Sequence, residues 1–537
     1  MKQSKFIFTA VLAAHAVILM PLMKATTVEV LGAGSSAIWQ TAAIGAWTQL
    51  AGTGALHYTV GGTCTSGNCS QIHDSRSTSI LNEGGNIWIV WSADMTKVWA
   101  YISVDSVVGN RSFFAVPRAQ IQLDAQTLTL AGQDLISSTL WGNDASALPS
   151  TIYNAVNNAT LTTAFTDIRP EDAKMAQCRV ASALGAALPS GYYGAAGLGY
   201  STSCTALLPT PIYSAFSSAQ ANPVAFNLSG TDPFTSEATK AYTTVSIGAS
   251  PIVFIINRTD AAGLGAPGLY TTINQTQVQS LFDGSTCDSN AFGVTGPSNV
   301  PVTVVLREPL SGTMNTTEYT TFYTKISKTT SQETGVNPSL VNNNPLNLPC
   351  TAGGGKRMRA IGTSQVVKSG VLPNADSIGY VFFSYGNVSP IAGTASYGYL
   401  KLSGVDPIQA SYTNGELPVC TSPCPAAPGT SFPNLRNGTY SAWSVLRAVT
   451  DASGVNLTNT KSLVLAIQDN INSTVPDFVP FSAVGGDPGL KYYRSHFAQA
   501  SVAPHNGLSG QKETGGDVGG CIEPIGAAPG VLNCHAQ

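Results

Sequence analysis

The chain has 537 residues, long enough for two or more domains with ample core. Charged residues make up only 10% of it and the formal net charge is -3. That argues against a nucleic-acid footprint, which needs a basic surface.

Lys2 and Lys5, followed by the apolar run Phe6 to Leu22, read as an export signal within residues 1–25. Lys24-Ala25 is a poor small-residue cleavage site, so an uncleaved N-terminal anchor is the competing reading. No later stretch approaches the roughly 18 apolar residues that a membrane span needs. Ten cysteines fit export. Sorted by proximity they would pair Cys64 with Cys69, Cys178 with Cys204, Cys287 with Cys350, Cys420 with Cys424, and Cys521 with Cys534. Sequence alone does not fix that connectivity.

Thr27 to Leu31 predicts a short strand running into Gly32-Ala33-Gly34-Ser35-Ser36. The helix behind it puts Ile38, Ala42 and Leu50 on one face. Tyr58 to Val60 predicts a strand leading into Gly61-Gly62-Thr63 and a loop pinned by cysteines. Further strands are predicted at Ile87 to Trp91, Val98 to Val104, Phe113 to Val116 and Ile121 to Leu123. Trp88, Trp91 and Trp99 alternate with Val and Ile, which favours core packing over a sugar-stacking platform. Thr166-Asp167 precedes Pro170 and the acidic pair Glu171-Asp172, the signature of a capped helix start. Asp94, after an apolar strand, is a second candidate for the same carboxylate role. Tyr242 to Asn257 is almost continuously apolar and predicts a strand buried on both faces. Residues 273–283 predict a short amphipathic helix.

The most informative stretch begins at the β-branched run Val302 to Leu306, a predicted buried strand with Arg307 at its end. Ser311-Gly312-Thr313 then opens a helix, with Ser311 as N-cap and Gly312 allowing close backbone approach. The first amides of a helix lack intrahelical partners and carry the positive end of its dipole, so they suit an anion. Arg307 adds a planar, bidentate donor for the same oxyanion. Gly353-Gly354-Gly355-Lys356 lacks the earlier glycine and following hydroxyl of a nucleotide phosphate loop. Ile361 to Lys368 predicts a helix and Ser377 to Phe383 a buried strand, while Tyr440 to Val449 and Ser462 to Asp469 are helices or strands. No Gly-x-Ser-x-Gly or His-Glu-x-x-His pattern is present and the six histidines have no ligand spacing. The expectation is therefore a non-enzyme with no metal and no cofactor.

Taken in order, Gly32 to Ser36, Thr166-Asp167, Val245 to Asn257, Arg307 with Ser311-Gly312-Thr313, and Ile378-Gly379-Tyr380 resemble the phosphate-binding protein of the bacterial high-affinity ABC phosphate transporter. That family is one of type II periplasmic substrate-binding proteins. The resemblance implies an α/β, two-lobed fold with two crossing strands, near 245–257 and 376–384, carrying β-rich insertions. It puts lobe one at 26–257 and 376–500, with insertions at about 70–150 and 186–235, lobe two at 258–375, and a Gly/Pro-rich tail at 501–537. The implied phosphate ligands are Ser35, Ser36, the Ala37 amide, Thr63 (with Thr65 and Ser66 competing for its place), Asp167, Arg307, Ser311, Gly312 and Thr313. The implied role is an extracytoplasmic, monomeric solute-binding protein, periplasmic or at the cell surface, passing inorganic phosphate or another tetrahedral oxyanion to an ABC permease. A surface or adhesion protein built on the same scaffold with an altered ligand is the alternative.

Within that resemblance the carboxylate is the selective element. Beside a fully deprotonated anion such as sulfate, Asp167 sets like charge against like charge in a shielded cleft. Beside a protonated oxyanion it accepts a hydrogen bond from the ligand's own OH. A buried polar group left repelled or unpaired costs several kcal/mol, roughly two decades of affinity or more.

Overall fold

The computed structural model describes residues 25–51, 54–61, 71–73, 83–114, 117–168, 242–297, 299–307, 311–317, 320–321, 346–348, 350–360, 362–410, 415–418, 428–470 and 477–490. The export signal, Thr63 and the tail from 501 lie outside them, as do all the proposed cysteine pairs except Cys287–Cys350, which is bridged. Among the described residues no helix is long and apolar enough to cross a membrane.

The fold is α/β and two-lobed, organised on strands β1 (Thr27–Ser35), β2 (Leu56–Val60), β3 (Asn86–Trp91), β4 (Lys97–Val104), β5 (Thr163–Thr166) and β6 (Tyr242–Asn257). These are followed by β7 (Thr303–Arg307), β8 (Lys356–Ala360), β9 (Ser377–Phe382), β10 (Tyr397–Leu402) and β11 (Trp443–Asp451). In the first lobe the spatial order is β2-β3-β4-β1-β5-β11-β6, and in the second it is β6-β9-β7-β8 with β10 on the other side of β6.

β6 belongs to both lobes. Its residues Tyr242 to Pro251 pair antiparallel with β11, and Ile252 to Ile256 pair antiparallel with β9. Pro251 stands at the handover, where a missing N–H is tolerated because one ladder stops and another starts. Its carbonyl still accepts from Phe383 N at 2.9 Å. Every residue of β6 from Val245 onward is buried, as its nearly continuous apolar run predicts.

The direction of the strands decides where chemistry can gather. β1 runs parallel to both β4 and β5, so Ser35, Val104 and Thr166 end at one edge of the first sheet. β7 runs parallel to β8 and β9, so Arg307 and Ala360 end together in the second. Carboxyl ends of parallel strands, at the point where connections leave to either side, are where open α/β sheets bind ligands.

Several sequence expectations change. Phe113 and Phe114, predicted as strand, close helix α2 (Ser106–Phe114), where packing against β5 and β1 overrides β propensity. Residues 86–104, expected within an insertion, form β3 and β4 in the main sheet, with β4 the direct neighbour of β1. Trp88, Trp91 and Trp99 are all buried, which removes a sugar platform. Tyr440 to Val449 resolves as strand β11, and Ser462 to Asp469 falls in a helix at Val455–Asn470. Behind β1, helix α1 spans Trp39–Ala51 and packs on that later helix.

Candidate anion-binding site

At the end of β1, Gly34 has φ +141 and a Cβ there would collide with the Phe165 carbonyl of β5, so glycine keeps the two strands close. Ser35 follows, buried, and its Oγ accepts from Ala37 N at 3.2 Å and donates to Asp167 Oδ2 at 3.3 Å. Tyr101 OH on β4 donates to the Ser35 carbonyl and fixes that turn.

Asp167 is 1% exposed and follows β5 directly. Its backbone is held by Ser444 Oγ, which donates to the Asp167 carbonyl at 2.6 Å. Burial raises its carboxyl above the usual range, offset in part by the Ser106 hydroxyl and the Arg307 charge. Ser106 Oγ donates to Asp167 Oδ1 and accepts from Asp167 N at 3.4 Å. Asn110, one turn into α2, bridges the Ser106 carbonyl (2.9 Å) and Thr166 Oγ1 (3.1 Å), locking the helix start to the Asp167 turn.

From the second lobe, Arg307 ends β7 at 2% exposure. Its Nη1 donates to Thr313 Oγ1 at 3.0 Å and Thr363 Oγ1 at 3.2 Å, and its Nη2 lies 3.7 Å from Asp105 Oδ1. Ser311 caps the short helix Gly312–Thr317, its Oγ accepting from Met314 N at 3.3 Å. Thr313 Oγ1 donates to Asp167 Oδ2 at 3.4 Å. A Cβ on Gly312 would collide with Asp167 Oδ1 and Ser106 Oγ, so a side chain here would push the lobes apart.

Ser36 faces Thr363, Oγ to Oγ1, at 3.0 Å, and its carbonyl accepts from Asn387 Nδ2 at 3.4 Å. Of the sequence-derived set, Ser35, Ser36, Ala37, Asp167, Arg307, Ser311, Gly312 and Thr313 thus gather in one hydrogen-bonded cluster spanning both lobes. Asp94 does not join it. It sits in the β3–β4 turn, at the far end of β4, accepting from Ser92 Oγ at 2.6 Å and Thr96 N at 3.1 Å.

Three further residues were missed: Asp105, Ser106 and Thr363. Ser106 opens α2 at the end of a strand parallel to β1. The available signal was Asp105-Ser106, a cap pair following an apolar strand and followed by Gly109. Chemically, the cluster offers hydroxyls that can donate or accept, one guanidinium and one acceptor carboxylate, a set suited to a small oxyanion carrying a proton.

No protein-family model and no curated protein sequence matches the chain. Among solved structures it is similar to PstS from Borrelia burgdorferi (9% identity, 83% of this chain and 96% of that chain, TM-score 0.32). It is similar also to a phosphate-binding protein from Stenotrophomonas maltophilia (14% identity, 85% of each chain, TM-score 0.32). A third is a putative phosphate ABC transporter substrate-binding protein with bound phosphate from Clostridium perfringens (18% identity, 43% of this chain and 71% of that chain, TM-score 0.26).

Proposed function

We propose that the chain is an extracytoplasmic solute-binding protein that holds inorganic phosphate between its two lobes and delivers it to an ABC permease. The observation that carries this reading is the hydroxyl of Thr313, which links Arg307 of the second lobe (3.0 Å) to Asp167 of the first (3.4 Å). A guanidinium and a proton-accepting carboxylate are thereby presented together, out of bulk water. Ser35, Ser36, Ser106 and Ser311 add hydroxyls, and the Gly312 backbone lies against Asp167 and Ser106. Neutral dipoles and one guanidinium suffice for a singly or doubly charged oxyanion, so a net charge of -3 is no obstacle.

Selectivity follows from Asp167, which accepts the ligand's OH and repels an anion that has none. The apolar run Phe6 to Leu22 and the ten cysteines support export. Titration calorimetry of the purified protein with phosphate, arsenate and sulfate tests the reading. It requires one-to-one binding of phosphate, no competition from sulfate, and loss of binding in Arg307→Ala. Absence of phosphate heat and of any phosphate-induced rise in melting temperature overturns it.

A further inference from the structure

We infer that Asp105 is an internal anion that competes with the bound oxyanion for Arg307 and so sets the affinity of the site; this rests on the phosphate reading above. Asp105 ends the connection from β4 and precedes α2 in the first lobe, whereas Arg307 belongs to the second. Their side chains are 2% and 3% exposed, with Nη2 and Oδ1 3.7 Å apart. Screening between charges so placed is weak.

Arg307 Nη1 serves Thr313 and Thr363. A guanidinium has two bidentate forks, one through Nη1 and Nη2 and one through Nε and Nη2, and both include Nη2. An oxyanion gripped by either fork therefore comes to the nitrogen that Asp105 faces. Carboxylate and ligand are like charges there, and the ligand displaces Asp105 to bind. Asp167 meets the same cluster differently. Its Oδ1 is directed to Ser106 and its Oδ2 to Ser35 and Thr313, so its link to Arg307 runs through a hydroxyl.

The position of Asp105 makes the test clean. It stands as the residue before α2, its carbonyl accepting from Gly109 N at 2.7 Å. Asn and Ser occupy that cap position about as well as Asp, so Asp105→Asn and Asp105→Ser remove the charge with little cost to the helix.

Phosphate affinity by calorimetry and melting temperature without added phosphate are measured for wild type and both variants, with circular dichroism confirming the fold. The expected result is two changes of opposite sign. Phosphate binds about tenfold tighter or more, because the internal competitor is gone. The melting temperature without phosphate falls by several degrees, because a buried guanidinium has lost the carboxylate 3.7 Å from it, while Asp167 is linked to it through Thr313. A purely structural Asp105 would lower both. Phosphate binding no tighter than wild type in the folded variants overturns this inference and leaves the phosphate reading intact. Failure of phosphate, arsenate and sulfate to bind any of the three proteins overturns both.

Discussion

Two buried carboxylates in the first lobe, Asp144 and Asp167, show how similar groups are put to different ends. Asp144 accepts from Thr59 N (2.9 Å), Asp134 N (2.9 Å) and the Thr59 hydroxyl, with His57 Nδ1 2.9 Å away. Burial alone would raise its carboxyl, but the bonds from His57, Thr59 and the Asp134 amide outweigh that and hold it below its ordinary value. For Asp167 burial prevails and the carboxyl is raised. The difference lies in the donors. Asp144 is held partly by backbone amides, which cannot turn away, and by groups of its own lobe. The side-chain donors to Asp167 are the hydroxyls of Ser35, Ser106 and Thr313, from three chain segments and both lobes. Hydroxyls rotate, and can give up a carboxylate oxygen to a ligand and bond the ligand instead.

The sharpest way to break that contrast is Arg307→Ala, which removes the only guanidinium seen to bond into the cluster through Thr313 and Thr363 among the described residues. Phosphate affinity should fall about a thousandfold, and calorimetry at micromolar protein should show no binding. Arg307→Lys keeps the charge but loses the planar fork, and should recover only part of the affinity.

Next in size is the pairing of Asp167→Asn with Asp144→Asn. The first should weaken phosphate about a hundredfold, because an amide nitrogen set against the ligand's OH cannot accept its proton. The second should leave phosphate affinity unchanged and cost about 2–3 kcal/mol of stability, read by urea unfolding, because the local donors lose their charged acceptor. Equal effects of both changes on binding would abolish the distinction. Ser106→Ala should be milder, about tenfold in phosphate affinity, the usual scale for one hydrogen bond to a charged group.

Away from the anion cluster, a third buried carboxylate contributes a pH dependence that leaves phosphate affinity untouched. Asp477 accepts from Thr41 Oγ1 (2.7 Å), Ser384 Oγ (3.2 Å) and Tyr385 N (2.9 Å), yet burial pushes its carboxyl up to about 6. The folded chain keeps a proton there that the unfolded chain releases near pH ~4. Stability is thus lost as pH rises from about 4 to about 6, by up to about 3 kcal/mol. Melting curves across pH 4.5 to 7.5 should show this component in wild type and a flatter profile in Asp477→Asn.

The sequence revealed the parts of the site that carry local punctuation. Gly34 before Ser35-Ser36, Thr166-Asp167 before a proline, and Arg307 ahead of Ser311-Gly312-Thr313 each end an apolar strand with a turn or cap residue. Asp105-Ser106 ends one too, but Val107-Val108 follow at once, and a β-branched pair reads as more strand. Only the parallel pairing of β4 with β1 brings that turn beside Asp167. Thr363 was hidden for another reason, since its partners Ser36 and Arg307 lie far away in sequence and nothing local marks its hydroxyl. The long run of β6 was plain because nearly every position from Val245 to Ile256 is apolar or small, whereas its division between two partner strands is a tertiary fact.

That shared strand constrains how the protein can move. A flexible tether would let one half swing freely, but here the backbone that crosses the boundary is laddered to β11 before Pro251 and to β9 after it. Any opening must therefore twist pleated backbone rather than swing about a loose loop. The compliance concentrates where rungs are irregular, at the register shift between Ser246 and Gly248 and at Pro251.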